Sequence, residues 1–327
     1  MVKCIVVDKS IGEYVRRILY RNNVVDKRYR ISVSKDKLCI PVIDIAKASE
    51  ILGREGIVYS VDECILEPRK AVKRFEKIPA HDVIGRVAIV RDNVLEYMSR
   101  EEVVEAIRSV YPRVQCIYLK KGTESDYRVS RLELLWGKDV RETIHREYGI
   151  SFYILLHRVY YNPRLSTEHH LIASEVGNGE FIVDAFSGIG GFTLHIACSK
   201  RAIVLANDIN PWAIECLLKS IELNRKRIKS SIIVSQNDAW RLMDIVCRGC
   251  VDRIIANLPH KSLEFRELYS YLSHRDTILY IYTIASSSRE AIDKTLEVMR
   301  EWSLLGVRKV LDYSPYRYVF RVKLTRL

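Results

Sequence analysis

No apolar run in this 327-residue chain approaches the roughly 18 residues that a membrane-spanning helix requires. The opening residues, Met1-Val-Lys-Cys-Ile-Val-Val, have neither the long apolar core nor the small-residue cleavage site of a secretory signal, and they read as a first strand. A soluble cytoplasmic protein without membrane attachment is expected. Internal repeats, low-complexity tracts and long structureless linkers are also missing, which excludes solenoid and fibrous architectures. Closely spaced cysteines are scarce. Of eight, at positions 4, 39, 64, 116, 198, 216, 247 and 250, only Cys247-x-x-Cys250 forms a close pair. One such pair, with no second pair or neighbouring histidine, does not complete a tetrahedral zinc site, so no metal is expected. A local disulfide and two unrelated thiols both fit it. The four tryptophans are scattered, and Trp136 and Trp302 read as core.

What is present is a globular composition, 48% hydrophobic and 29% charged, long enough for two or three domains. The formal net charge of +12 is spread along the whole chain. Such a field suits a large polyanion such as folded RNA, although a solvated basic surface gives the same count. Residues 1–62 read as a small α/β module, with strands at 4–7 and 38–42 and a helix over 11–20. Residues 63–163 read as an α+β unit, with a strand over 81–90 and a helix over 100–110, where Val103, Val104, Ile107 and Val110 share a face. Beyond residue 164 short apolar runs at 181–186, 202–206, 231–234, 253–256 and 277–282 alternate with helical patterns. That alternation predicts a mostly parallel, doubly wound, Rossmann-like sheet. Residues 318–324 alternate strictly and predict an edge strand with one exposed face. The fold class is therefore α/β: a Rossmann-like domain over 164–327, preceded by a small α/β domain and an α+β middle domain.

The sharpest motif is Asp184-Ala-Phe-Ser-Gly-Ile-Gly-Gly-Phe-Thr, between a strand and a helix. Gly188, Gly190 and Gly191 let backbone approach a ligand closely. The spacing is not the G-x-G-x-x-G of dinucleotide sites. Asp184, Phe186 and the glycine turn resemble motif I of class I methyltransferases, where the loop faces the aminoacyl part of S-adenosylmethionine. Asp208, about 20 residues on, ends the next strand, where an acid can accept both ribose hydroxyls. Ile209 follows it, and Asn210-Pro211 is a helix cap and first turn over a helix whose Ile214, Leu217, Leu218 and Ile221 should face the sheet. Asp238-Ala239 ends the third strand, in the position that meets adenine in this fold, with Trp240 as a candidate flank. Asn257-Leu-Pro259 ends the fourth and resembles the N-P-P motif of enzymes that methylate nitrogens. Successive strand ends of a doubly wound sheet are where such folds bind ligands.

Upstream lies His157-Arg-Val-Tyr-Tyr-Asn-Pro-Arg-Leu-Ser-Thr-Glu-His-His170. With the motifs above, and with the stretches 81–90, 125–131 and 143–149, it resembles the archaeal–eukaryotic tRNA (guanine-37-N1) methyltransferase family. The resemblance covers residues 63–327 well and 1–60 more loosely. It implies S-adenosylmethionine as cofactor, tRNA as partner, a monomer, and a small N-terminal domain that touches the outer corner of the tRNA. Guanine N1 carries a hydrogen, so its methylation needs a base for that proton and a cation for the charge on O6. By resemblance Glu168 is the base, Arg128 the cation, and Asn257 and Pro259 hold the target guanine. Tyr160 and Arg164 position the nucleotide or the RNA backbone. Many family members carry arginine directly after the catalytic glutamate; here His169 stands there and would have to contact the cofactor through a donor nitrogen. Two alternatives use the same features: a wyosine-pathway enzyme that methylates the tricyclic guanosine or transfers the aminocarboxypropyl group, and an idle RNA-binding module.

Overall fold

The computed structural model describes residues 1–34, 36–68, 78–124 and 129–327. The chain divides into two compact units, Met1–Phe75 and Glu76–Leu327. In the first, strands β1 (Val2–Asp8), β2 (Ser32–Ser34), β3 (Lys37–Pro41) and β4 (Ser60–Cys64) form an antiparallel sheet in the order β2-β3-β1-β4. Helices α1 (Lys9–Arg21) and α2 (Ile45–Arg54) begin at aspartate caps, Asp8 accepting from Ser10 N and Asp44 from Lys47 N. Ile5, Val7, Val15, Leu19, Ile40 and Leu52 form the core between helices and sheet.

The second unit opens with a four-stranded sheet in the order β5-β6-β7-β8: β5 (His81–Ile84), β6 (Val87–Arg91), β7 (Cys116–Glu124) and β8 (Val129–Gly137). The run 81–90, expected as one strand, is a hairpin, because Gly85 turns the chain at φ +60°. Helix α3 (Arg100–Val110), started by a Ser99/Glu102 capping box, connects the parallel strands β6 and β7. It buries Val103, Ala106 and Ile107, while Val110 is exposed. Next comes the hairpin β9 (Glu142–Glu147) and β10 (Ile150–Leu155). Its two turn residues, Tyr148 and Gly149, have φ +47° and +79°, as a type I′ turn requires.

The large sheet follows, with β11 (Phe181–Asp184), β12 (Ile203–Asn207), β13 (Ser231–Ser235), β14 (Val251–Ala256), β15 (Ser273–Ala285), β16 (Trp302–Ser314) and β17 (Arg317–Arg326). Its order is β13-β12-β11-β14-β15-β17-β16; the strands from β13 to β15 are parallel, and β17 is antiparallel to both neighbours. The mostly parallel sheet read from the sequence is thus present. The expected edge strand is not at the edge: β16 occupies that position, and β17 lies between it and β15. Helices α4 (Ser166–Glu175), α5 (Gly191–Ser199) and α6 (Pro211–Asn224) precede α7 (Leu242–Ile245), α8 (Arg266–Leu272) and α9 (Ser288–Val298). One apolar core gathers Leu268, Leu272, Leu279, Met299, Trp302 and Val322, and another places Ile172 and Phe192 against Tyr280 and Tyr282. A third joins Ile84, Tyr118 and Phe152 to Leu194 and Leu217, so the upstream strands pack on α5 and α6. Trp302 is core as expected, whereas Trp136 is only partly buried, with the Arg108 guanidinium over its ring. Helix α6 buries Ile214 and Leu217, but Leu218 is exposed and Cys216 takes the inward place. Cys247 and Cys250 are joined as a disulfide. Among the described residues no helix is long and apolar enough to cross a membrane.

The free edge of β10 is satisfied by side chains of α6 instead of another strand. Ser220 Oγ accepts from Tyr153 N at 2.9 Å. Asn224 accepts from Ser151 N at 3.0 Å and donates to Ser151 O at 2.7 Å. Buried strand groups left without such partners are costly. Asn224→Ala is expected to lower unfolding free energy by about 2 kcal/mol, read by urea titration. A change within about 0.5 kcal/mol would show that the docking does not depend on this side chain.

Candidate active site

The glycine loop is built from beneath. Asp184 ends β11 with no exposure; its Oδ2 accepts from Thr193 Oγ1 at 2.8 Å, and its Oδ1 is buried without a hydrogen-bond partner. Burial pushes this carboxyl up to about 7, against the Thr193 hydrogen bond and with a contribution from Asp208. Expected among the cofactor contacts, Asp184 instead lies beneath the loop and supports it. Above it Ser187 N donates to Asn207 O, and Gly188 and Gly190 turn the chain at φ +54° and +89° into the start of α5. A Cβ on Gly188 would meet nothing within 4 Å, so open space adjoins this backbone.

The other expected cofactor residues gather at neighbouring strand ends. Asp208 Oδ2 accepts from Gly188 N at 2.8 Å and Oδ1 from Asn210 N at 2.9 Å, which ties the second strand end to the glycine loop. Burial raises the Asp208 carboxyl, and these backbone donors oppose the rise. Ile209 beside it is exposed, and Asn210 caps α6 ahead of Pro211. Asp238 is exposed and accepts from Trp240 N at 3.0 Å, with Ala239 buried behind it. Phe186 packs edge-on to Phe265 at 4.9 Å between ring centres, and Phe265 stacks on Trp240 at 4.9 Å. Phe265 had no sequence signal; it comes from the turn before α8 and completes an aromatic wall. Asn257 and Pro259 are half-buried just beyond β14. Open backbone, two acceptor carboxylates and an aromatic wall fit the aminoacyl, ribose and adenine parts of S-adenosylmethionine.

Glu168 sits in the first turn of α4 and is only 3% exposed. Leu165 is the N-cap residue of this helix and makes no side-chain cap bond. The carboxylate is held from the sheet: Oε1 accepts from Tyr282 Oη at 2.9 Å and from Arg321 Nη1 at 3.0 Å. Tyr282 and Arg321 are direct cross-strand partners on β15 and β17, so one register places both donors. Burial lifts the Tyr282 hydroxyl well above its ordinary range, so it remains the donor. Glu168 Oε2 is buried with no hydrogen-bond partner; the half-exposed Arg308 guanidinium lies 3.6 Å from it. Two turns on, Glu175 repeats the pattern on the next pair of that register, accepting from Tyr280 at 2.9 Å and Lys323 at 2.6 Å. The polar face of β17, read as solvent-exposed, instead lies under α4.

His169 is buried on another side of the helix, with Nδ1 2.9 Å from Glu147 Oε2. Tyr160 is half-buried, and Arg164 is exposed and paired with Asp82 at 2.8 Å. Arg128 lies outside the described residues, as does most of the 125–131 motif.

The family model for the TRM5/TYW2 methyltransferase domain matches residues 143–304, and that for the tRNA methyltransferase 5 N-terminal domain matches residues 4–50. The tRNA (guanine(37)-N(1))-methyltransferase Trm5b of Methanocaldococcus jannaschii is 30% identical, over 98% of this chain and 97% of the relative. This chain belongs to the tRNA (guanine-37-N1) methyltransferase family. Trm5b of Pyrococcus abyssi is 31% identical over 94% of each chain. In a solved complex of an aTrm5 with tRNALeu, the protein superimposes with a TM-score of 0.74 at 28% identity, covering 99% of both chains. The match to a methyltransferase family model, and the superposition on a solved Methanocaldococcus jannaschii Trm5 in complex with adenosine (TM-score 0.63, 26% identity), accord with S-adenosylmethionine as the cofactor of the strand-end site.

The buried Asp184 gives a pH test. Its raised folded value means that the folded protein holds this proton more tightly than the unfolded chain, so its stability is fullest at low pH and falls as pH rises toward 7. Between roughly pH 5 and 8, wild type is expected to lose about 2–3 kcal/mol relative to Asp184→Asn in urea unfolding of the ligand-free protein. Parallel stability curves for the two proteins would show that Asp184 is ionised at no cost.

Proposed function

We propose that this chain transfers the methyl group of S-adenosylmethionine to N1 of guanosine 37 in tRNA, with Glu168 as the base. The observation that carries this reading is the Glu168 carboxylate: one oxygen clamped by two donors, the other buried and unbonded, one residue from a histidine that lies against Gly191. Bound S-adenosylmethionine supplies an electrophilic methyl group. Asp208, Asp238, Ala239, Ile209 and Phe186 hold its adenosine, and the backbone from Gly188 to Gly190 holds its aminoacyl end. Glu168 Oε2 takes the N1 proton, which turns a poor nucleophile into a competent one. Tyr282 and Arg321 fix Oε1, so Glu168 meets the base in one rotamer. Asn257 and Pro259 hold the guanine, and Tyr160 and Arg164 position the nucleotide. Arg128, by family resemblance, balances the charge on O6. Guanosine 37 stacks in the anticodon loop and must be flipped out to reach such a site.

The net charge of +12 suits the phosphate backbone of tRNA. Residues 1–62 act as a tRNA-contacting domain and residues 63–163 as the part that completes the site for RNA. The enzyme works as a monomer in the cytoplasm. Wyosine-pathway chemistry shares the catalytic fold; the match of residues 4–50 to the N-terminal domain of tRNA methyltransferase 5 and the Asn257-Leu-Pro259 segment favour methyl transfer.

Incubation with methyl-labelled cofactor and tRNA transcripts bearing G or A at position 37 tests the reading. Label is expected as 1-methylguanosine with G37 only; label on another nucleotide, or none, overturns it. Glu168→Gln is expected to slow single-turnover methyl transfer by about 100- to 1,000-fold while calorimetric cofactor affinity is retained. An undiminished rate would remove Glu168 from the base role. Deletion of the N-terminal unit is expected to raise KM for tRNA and leave cofactor binding intact. Unchanged KM would show that it makes no useful RNA contact.

A further inference from the structure

Glu147, the last residue of β9, takes no part in the chemistry above, yet its side chain is fully buried. Its Oε2 lies 2.9 Å from His169 Nδ1 and 2.9 Å from His195 Nε2, and its Oε1 accepts from the Tyr161 hydroxyl. Burial pushes this carboxyl up, but the hydrogen bonds from both histidines and Tyr161, together with the His169 charge, outweigh it and hold Glu147 well below the usual carboxylate range. It is therefore a buried anion.

Two imidazoles and a carboxylate are also a metal-ligand set. The contacts argue for hydrogen bonds. An ion needs about 2.0–2.2 Å to each ligand, so it would have to separate atoms already at donor–acceptor distance. For Oε2 to accept from both rings, His169 must present Nδ1–H and His195 must present Nε2–H. Burial lowers the His195 value, with Glu147 opposing, which suits a neutral ring donating through Nε2.

The other edge of the His169 ring faces the glycine loop. A Cβ on Gly191 would fall 2.5 Å from His169 Cε1 and 2.5 Å from Nε2, so the absence of a side chain there makes room for the imidazole. Gly191 is the first residue of α5, whose N-terminus favours a negative group. We propose that Glu147 is a positioning residue for the cofactor: by accepting from Nδ1 it fixes the orientation of the His169 ring, so that the Nε2 edge is offered to the carboxylate of the aminoacyl end. His195 and Tyr161 occupy the remaining acceptor directions and keep Glu147 from turning away. This inference rests on the glycine loop being the cofactor site.

The test separates the carboxylate from the rest of the ligand. Calorimetry on the full chain would compare S-adenosylhomocysteine with 5′-methylthioadenosine, which lacks the amino-acid end. Glu147→Gln and His169→Gln are each expected to weaken S-adenosylhomocysteine binding by about tenfold or more, the effect of one charge-assisted hydrogen bond, and to bind methylthioadenosine like wild type. Retained methylthioadenosine binding also shows that the variant is folded. Equal losses on both ligands, or none on either, would overturn the proposal, as would stoichiometric metal in the purified wild-type protein. Asp208→Asn is expected to weaken both ligands. If it weakens neither, the fault lies with the cofactor-site reading, not with Glu147.

Discussion

Two adjacent ionisable residues, Glu168 and His169, are both buried in the first turn of α4, and the surrounding structure must satisfy them. A buried charge without a partner costs several kcal/mol, so each needs a complementary group close by. Successive helix positions point about 100° apart, so one partner cannot serve both. Glu168 takes its donors from β15 and β17, and His169 takes its acceptor from β9. The sheet and the upstream hairpin are thereby both anchored to the same helical turn. The hairpin is held a second time where Ser220 and Asn224 of α6 complete its open edge.

The same turn brings the two halves of the chemistry together. The ring of His169 abuts Gly191 at the head of the glycine loop, and Asp208 closes that loop from the next strand by accepting from Gly188. The sheet order reverses between β11 and its neighbours β12 and β14, which opens the crevice at the strand ends where doubly wound folds bind ligands. The proposed base, Glu168, and the His169 ring that abuts the glycine loop are thus one residue apart in sequence. On the proposed reading, that closeness lets one helical turn set the proton acceptor against the cofactor.

The parts legible in the sequence are those coded locally. The glycine loop, the Asn210-Pro211 helix start and the successive apolar strands are short-range patterns, and each lies where expected. Glu147, Tyr282, Arg321 and Phe265 were not legible, because their roles arise only from register and packing between distant segments. The alternation of β17 by itself predicts an exposed edge. Its polar positions, Arg321 and Lys323, are polar because α4 lays Glu168 and Glu175 over them, not because water does. The stretch 81–90 is apolar enough to read as one strand, and Gly85 in its middle, at φ +60°, makes it a hairpin. Asp184 shows the converse: the motif located it correctly, but motif position alone does not distinguish a residue that touches a ligand from one that supports the loop that does.

The most direct measurement of the central claim is a crystal structure of the protein with S-adenosylhomocysteine and a G37 anticodon stem-loop. Guanine N1 should lie within hydrogen-bond distance, about 2.6–3.2 Å, of Glu168 Oε2, with Oε1 still held by Tyr282 and Arg321. A guanine bound elsewhere, with both Glu168 oxygens engaged by protein cations, would contradict it and leave Glu168 a purely structural acid.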